Sequence, residues 1–305
     1  MNPIKYYILD VFATNKYEGN QLAVFLDLKN QLSQVQMQEM AREINFAETT
    51  FIKEAKENNR FVVKIFTPEH EVPFAGHPSI GTSYIIAKFF LPKVTNKLTL
   101  ELTHSDIEIT IMNASDLDNS VYFMRQEQPQ FGDIFSKVEV SNELNIPFEN
   151  IDDSYPIHEV STGLPYIIIP IKDLQAMEAL MLDLESFKLF LLARNKYRTN
   201  SKSGHSTSLF FFTKNAYETG NSYNSRMLLI ENNKLSEDAA TGSANGCLLA
   251  YLLKYEDKKI TATVEQGFQM GRKSYLYLDG KLSNEHYEIN VGGHNQFISD
   301  GIWYV

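Results

Sequence analysis

Apolar and polar positions along the chain change period several times, and each change marks an element. Residues 6–12, Tyr-Tyr-Ile-Leu-Asp-Val-Phe, read as a strand, and after Gly19-Asn20 a second strand follows at residues 22–26, an opening that resembles a hairpin. From Ser33 the period becomes helical, with Val35, Met37, Met40, Ala41 and Ile44 recurring at helical spacing, Ser33 placed as N-cap and Asn45 placed to end the helix. Glu48 therefore falls just past a helix, at the start of a strand through residues 49–52. Another strand at residues 61–66 leads through Thr67-Pro68 to Pro73-Phe74-Ala75-Gly76-His77-Pro78. An apolar helix then runs through Ile80, Tyr84, Ile85, Ala87 and Phe89.

Residues 113–120, Asn-Ala-Ser-Asp-Leu-Asp-Asn-Ser, are the strongest linker candidate, and beyond them the plan repeats. Gly19-Asn20-Gln21 before a strand has its counterpart in Gly163-Leu164-Pro165 before residues 166–169. Ala75-Gly76-His77-Pro78 before a buried helix is mirrored by Thr241-Gly242-Ser243-Ala244 before the apolar run 248–253. Two similar lobes are one reading of this order, and coincidence between two common loop-to-helix patterns is the other. Gly292-Gly293 reads as a hairpin turn.

Composition narrows the function. A chain of 305 residues is long enough for two cores. No apolar run reaches the length of a bilayer span, and the start Met1-Asn2-Pro3-Ile4-Lys5 lacks the pattern of a signal peptide, so a cytoplasmic protein away from membranes is expected. The single cysteine, Cys247, excludes an intrachain disulfide and a thiolate metal cage. The net charge of -10 repels phosphate backbones, so nucleic acid is not an expected partner. The histidines offer no zinc spacing: His70 and His77 flank a proline-containing turn, while His104, His158, His205, His286 and His294 are scattered. Neither a Gly-Lys-Ser/Thr phosphate loop nor a Gly-x-Gly-x-x-Gly after a strand is present, and no metal or cofactor is expected.

A glycine before a helix lets a ligand approach the unpaired amides of the first turn, where an anion is favoured. Gly76-His77 and Gly242-Ser243 each read as such an anion site or as a tight turn that starts a core helix. Glu48 lies between Phe46-Ala47 and Thr49-Thr50-Phe51, so it is either a partly desolvated acid and base or a solvated strand end. His77 reads as a proton shuttle or as a helix cap, and Asp238 as a substrate ligand or as a partner of the helix dipole.

Eight stretches in one order carry a resemblance. They are Asp10-Val11-Phe12, the run 19–25, the run 47–51, Thr67-Pro68, the run 73–78, the run 161–166, Glu237-Asp238-Ala239-Ala240-Thr241-Gly242-Ser243-Ala244 and Glu265-Gln266-Gly267. Together they cover nearly the whole chain, which is similar to the PhzF-like phenazine-biosynthesis family. The resemblance implies a diaminopimelate-epimerase-like α+β fold of two lobes, residues 1–118 and 119–293, with a strand at about 294–305 returning to the first. Each lobe is expected as an antiparallel sheet curled around a central helix, with the active site in the cleft between them, and the protein as a homodimer. It further implies an isomerase of the trans-2,3-dihydro-3-hydroxyanthranilate type acting on a small carboxylated substrate. In that reading Glu48 takes and returns the proton, His77, Asp238 and Ser243 hold and polarise the substrate, Gly76 and Gly242 supply backbone contacts, and Asn20 assists in binding. Related racemases place two thiols where this chain has Ala75 and Thr241, which rules out two-thiol chemistry. Ala239 stands where the family commonly has proline, and Asn245 where a small residue is usual. A protein of the same fold that binds a small anion without turnover is the alternative.

Overall fold

The computed structural model describes residues 3–91, 93–103, 105–198, 206–231 and 233–305; Met1, Asn2, His104 and His205 lie outside the described residues. The chain divides into two compact units, Met1–Arg125 together with Asn290–Val305, and Gln126–Ile289.

The first unit opens with β1 (Pro3–Val11), β2 (Asn20–Leu26), α1 (Gln34–Ile44), β3 (Glu48–Lys56) and β4 (Arg60–Phe66). It continues with the two-residue β5 (Glu71–Val72), α2 (Gly76–Phe89), β6 (Lys97–Glu101), β7 (Asp106–Met112) and β8 (Val121–Arg125). Helix α1 forms where the sequence places it: Ser33 and Gln36 make a reciprocal capping box, and Asn45 closes the helix in the left-handed region at φ 55°. The second unit holds β9 (Gln130–Phe135), α3 (Lys137–Glu143), β10 (Ile157–Ser161), β11 (Pro165–Pro170), α4 (Leu174–Glu178) and α5 (Leu184–Leu192). It goes on through β12 (Ser208–Thr213), β13 (Tyr223–Glu231), β14 (Lys234–Asp238), α6 (Gly242–Tyr255), β15 (Lys259–Gln266) and β16 (Ser274–Ser283). The chain then closes with β17 (His286–Gly293) and β18 (Asn295–Tyr304), which pairs antiparallel with β1 from Pro3 to Val11.

Both units follow one pairing plan. In the first, β18, β1 and β2 are antiparallel neighbours, β2 runs parallel to β3, β4 runs parallel to β6, and β7 and β8 follow antiparallel. In the second, β9, β10 and β11 are antiparallel, β11 runs parallel to β12, β13 runs parallel to β15, and β16 follows antiparallel. The sheets are thus mixed rather than antiparallel as expected. The segments joining the parallel pairs contain α1, α2, α4 with α5, or α6, and a crossover of that length returns a strand in the same direction. Helix α2 is buried from Gly76 to Ala87 and packs on β1, β2, β3, β6, β7, β8 and β18. Helix α6 is buried from Gly242 to Leu253 and packs on β10, β11, β15 and β16.

Two expectations change. The polar stretch 113–120 turns the chain between β7 and β8 inside the first unit, with Asn113 at φ 63° and the Ser120 hydroxyl donating to the carbonyls of Asn113 and Asp116. Such residues close a turn by bonding their own backbone as readily as they form a linker. Gly292 and Gly293 are not a hairpin turn: they are ladder residues of β17 opposite Phe123 and Tyr122, and a Cβ on Gly292 would lie 2.6 Å from the Phe123 ring. Glycine is there because an aromatic ring occupies its side-chain space. Among the described residues no helix is long and apolar enough to cross a membrane.

Candidate active site

Within the first unit, parallel pairing puts the starts of two strands side by side. Asn20 begins β2, Glu48 begins β3, and Leu22 is the register partner of Glu48. The first turn of α2 brings His77 to the same place. Asn20 Nδ2 lies 3.3 Å from His77 Nδ1, and Glu48 Oε2 lies 3.5 Å from that same nitrogen. His77 is 4% exposed while the Glu48 side chain keeps 20%, so the glutamate side chain is partly open to solvent where the imidazole is buried. Burial pushes the His77 pKa down from 6.5 to about 3, against a smaller upward pull from the backbone of Gln21. The contact with Glu48 has ion-pair spacing, yet the imidazole is uncharged at neutral pH, so it acts as a dipolar neighbour and not as a counterion. Gly76 sits at the first position of α2 after Ala75, and no side chain caps this end. Its first-turn amides are the anion-attracting kind.

Within the second unit, Asp238 is the last residue of β14, and the Thr241 hydroxyl donates to its Oδ2 at 2.6 Å. Gly242 opens α6 after Thr241, again without a side-chain cap. The Ser243 hydroxyl shares a buried 2.6 Å hydrogen bond with Tyr166 at the start of β11. The residues after β14 are tied to β15 by Gln266 and Asn245: Gln266 Nε2 donates to the carbonyl of Asp238, and Asn245 Nδ2 donates both to Gln266 Oε1 and to the carbonyl of Thr241. Cys247 lies deeper in α6, where burial raises its thiol pKa to about 12, far from a thiolate base. Among the described residues no group of three His, Cys, Asp or Glu side chains is placed to hold a metal ion.

The fold thus joins Asn20, Glu48, Gly76 and His77 in one cluster, and Asp238, Gly242 and Ser243 in another. Tyr166, Thr241, Asn245 and Gln266 complete the second cluster and had no assigned role on sequence grounds. Their motifs were visible, Pro165-Tyr166 and Glu265-Gln266-Gly267 among them, but a residue that reaches a site across a sheet leaves no local spacing signal. Asn245, a departure from the small residue expected there, supports the loop ahead of α6 and projects its amide at Thr241 and Gln266.

Comparison with known proteins follows the same lines. The model of the phenazine biosynthesis-like protein family matches residues 9–301. A trans-2,3-dihydro-3-hydroxyanthranilate isomerase of Pseudomonas fluorescens is 30% identical over 276 residues, covering 89% of this chain and 88% of that one. An uncharacterised isomerase of Mesorhizobium japonicum is 26% identical over 313 residues and 99% of each chain. Among solved structures, a PhzF-family phenazine biosynthesis protein of Bacillus anthracis superimposes with a TM-score of 0.85 at 24% identity over 100% of both chains. With its mixed sheets, buried Gly-led helices and matching motifs along nearly its whole length, the chain belongs to the phenazine biosynthesis-like family and is an isomerase.

Proposed function

We propose that the protein moves a proton within a small cyclic or unsaturated carboxylate, with Glu48 taking the proton from one carbon and returning it to another. Trans-2,3-dihydro-3-hydroxyanthranilate, named for the Pseudomonas relative, is the first compound to test. The observation that carries this reading is the partly exposed Glu48 side chain, whose carboxyl lies 3.5 Å from an imidazole that burial keeps neutral. A neutral imidazole brings no positive charge to the carboxyl, and a carboxyl group can take a proton in one step and give it back in the next. In the first step a C–H bond of the substrate breaks, the proton goes to Glu48, and the electron pair spreads into the conjugated carboxylate system. In the second the protonated Glu48 delivers that proton to the other end of the system, and the enzyme returns to its starting state.

The remaining residues fit the binding of that carboxylate. First-turn amides at Gly76 and Gly242 suit an anion, Ser243 offers a hydroxyl, and Asp238 suits an amino or hydroxyl substituent. We propose that the two units are the lobes of the architecture the family resemblance implies. The relatives named as isomerases favour turnover over a purely binding role.

Proton NMR in heavy water tests the proposal, using the dihydro-hydroxyanthranilate and a panel of small amino and hydroxy carboxylates. Wild-type protein is expected to place solvent deuterium on a substrate carbon, and Glu48→Gln to slow this by roughly a hundred-fold or more. Exchange that persists undiminished in Glu48→Gln removes the glutamate from the mechanism.

A further inference from the structure

Gln266 is fully buried at the end of β15, and every polar position of its side-chain amide is used. Oε1 accepts from the backbone N–H of Thr241 at 3.2 Å and from Asn245 Nδ2 at 2.9 Å. Nε2 donates to the backbone carbonyl of Asp238 at 2.9 Å and to Thr241 Oγ1 at 2.9 Å. A backbone N–H only donates and a backbone carbonyl only accepts, so the fold itself decides which end of the amide is oxygen and which is nitrogen. Asn245 is oriented by the same logic, because its Nδ2 also donates to the carbonyl of Thr241 at 3.0 Å.

These orientations fix a hydroxyl proton. Thr241 Oγ1 accepts from Gln266, so its single proton is left for its other neighbour, Asp238 Oδ2, at 2.6 Å. The adjacent Gly267 shows how closely the two segments are seated: at φ +74°, a Cβ there would lie 2.6 Å from the carbonyl oxygen of Ala239 and 2.4 Å from that of Arg272. Glu265, one residue earlier and also buried, serves a different segment, accepting from the backbone N–H groups of Tyr217 and Glu218. The alternation along β15 thus separates two tasks.

We propose that Gln266, anchored by Asn245, is a positioning residue for Asp238: it fixes the direction of the Thr241 hydroxyl and so presents Asp238 with Oδ2 as a hydrogen-bond acceptor. This deepens the proposed function and rests on it for the meaning of Asp238, while the orientation itself can be tested without substrate. The charged neighbours Arg226 and Glu237 on β13 and β14 bind one another at 2.8 and 2.9 Å and are untouched by the substitutions below.

The test is a carboxyl titration by NMR of the full-length protein labelled with 13C-aspartate, with Asp238→Asn assigning the resonance. Thr241→Val and Gln266→Met are each expected to move the Asp238 titration to higher pH, by about one unit, because a donor to the carboxylate is lost or misdirected. Thr241→Ser, which keeps the hydroxyl, is expected to match wild type, and Asn245→Ala to shift in the same direction by less. An Asp238 titration unchanged in the variants that retain the wild-type amide spectrum overturns the proposal, and Asn245→Ala decides if the two larger changes unfold the protein. In the deuterium-exchange assay Thr241→Val is expected to lower kcat roughly ten-fold, with Thr241→Ser restoring it. Wild-type protein inert towards every carboxylate overturns the functional reading alone, since the titration still decides the role of Gln266.

Discussion

His77 carries its cost in a measurable form. In an unfolded chain its imidazole takes up a proton near 6.5, whereas in the folded protein burial delays this to about 3. Above 6.5 both states are neutral there and the group contributes no pH dependence. As pH falls from 6.5 towards 3 the unfolded chain gains a proton that the folded chain lacks, so stability falls across that window. Chemical denaturation at pH 7 and pH 4.5 is expected to show a decline that His77→Gln reduces by about 2 kcal/mol. An identical decline in the variant assigns the acid sensitivity to other groups. The sequence marked His77 and Glu48 as candidates from their neighbours. It gave no access to the 3.5 Å between them, since the spacing of 48 and 77 along the chain says nothing about the first turn of α2 meeting the start of β3.

At the scale of elements, helix α2 has little room against its sheet. A Cβ on Gly81 would come within 2.6 Å of Leu22 Cδ2 and 2.7 Å of Val11 Cγ2, both side chains of strands under the helix. Gly81→Ala is expected to destabilise the protein by about 1–3 kcal/mol, read by urea denaturation. Leu22 lies two residues from Asn20, so the same change is expected to weaken substrate binding more than an exposed Gly→Ala would. A neutral outcome means that the Leu22 and Val11 methyls can swing aside. Helix α1 was legible down to its caps, because Ser33 and Asn45 act through their own backbone neighbourhood. The strand direction was not: β2 to β3 and β4 to β6 become parallel through what lies between them, and Gly292 was misread because its reason for being glycine is Phe123, far away in the chain.

On the scale of the whole molecule, the first unit is discontinuous in sequence and the second is not. Strand β18 pairs with β1 from end to end, and Trp303 at its close packs edge-on against Phe25 at 5.5 Å and Tyr6 at 6.0 Å. A chain ending at Gly293 is expected to lose amide-exchange protection in β1, while the core around Phe187, Phe190 and Phe211 in the second unit stays protected. Loss of protection throughout makes the second unit dependent on the first. The single tryptophan makes the complementary measurement simple, since its emission in the intact chain reports the first unit alone.

By itself the sequence determined the helix and strand periods, the caps of α1, the two Gly-led helix starts and the motifs of the family. Each of these rests on neighbours a few residues apart, where side-chain pattern and backbone preference act directly. Only the tertiary structure decided that the sheets are mixed, that Asn20 and Glu48 converge on one nitrogen of His77, and that Gln266 reaches back to Asp238 through Thr241. Those contacts depend on how strands line up and on which buried donors must find acceptors, and both are properties of the assembled core.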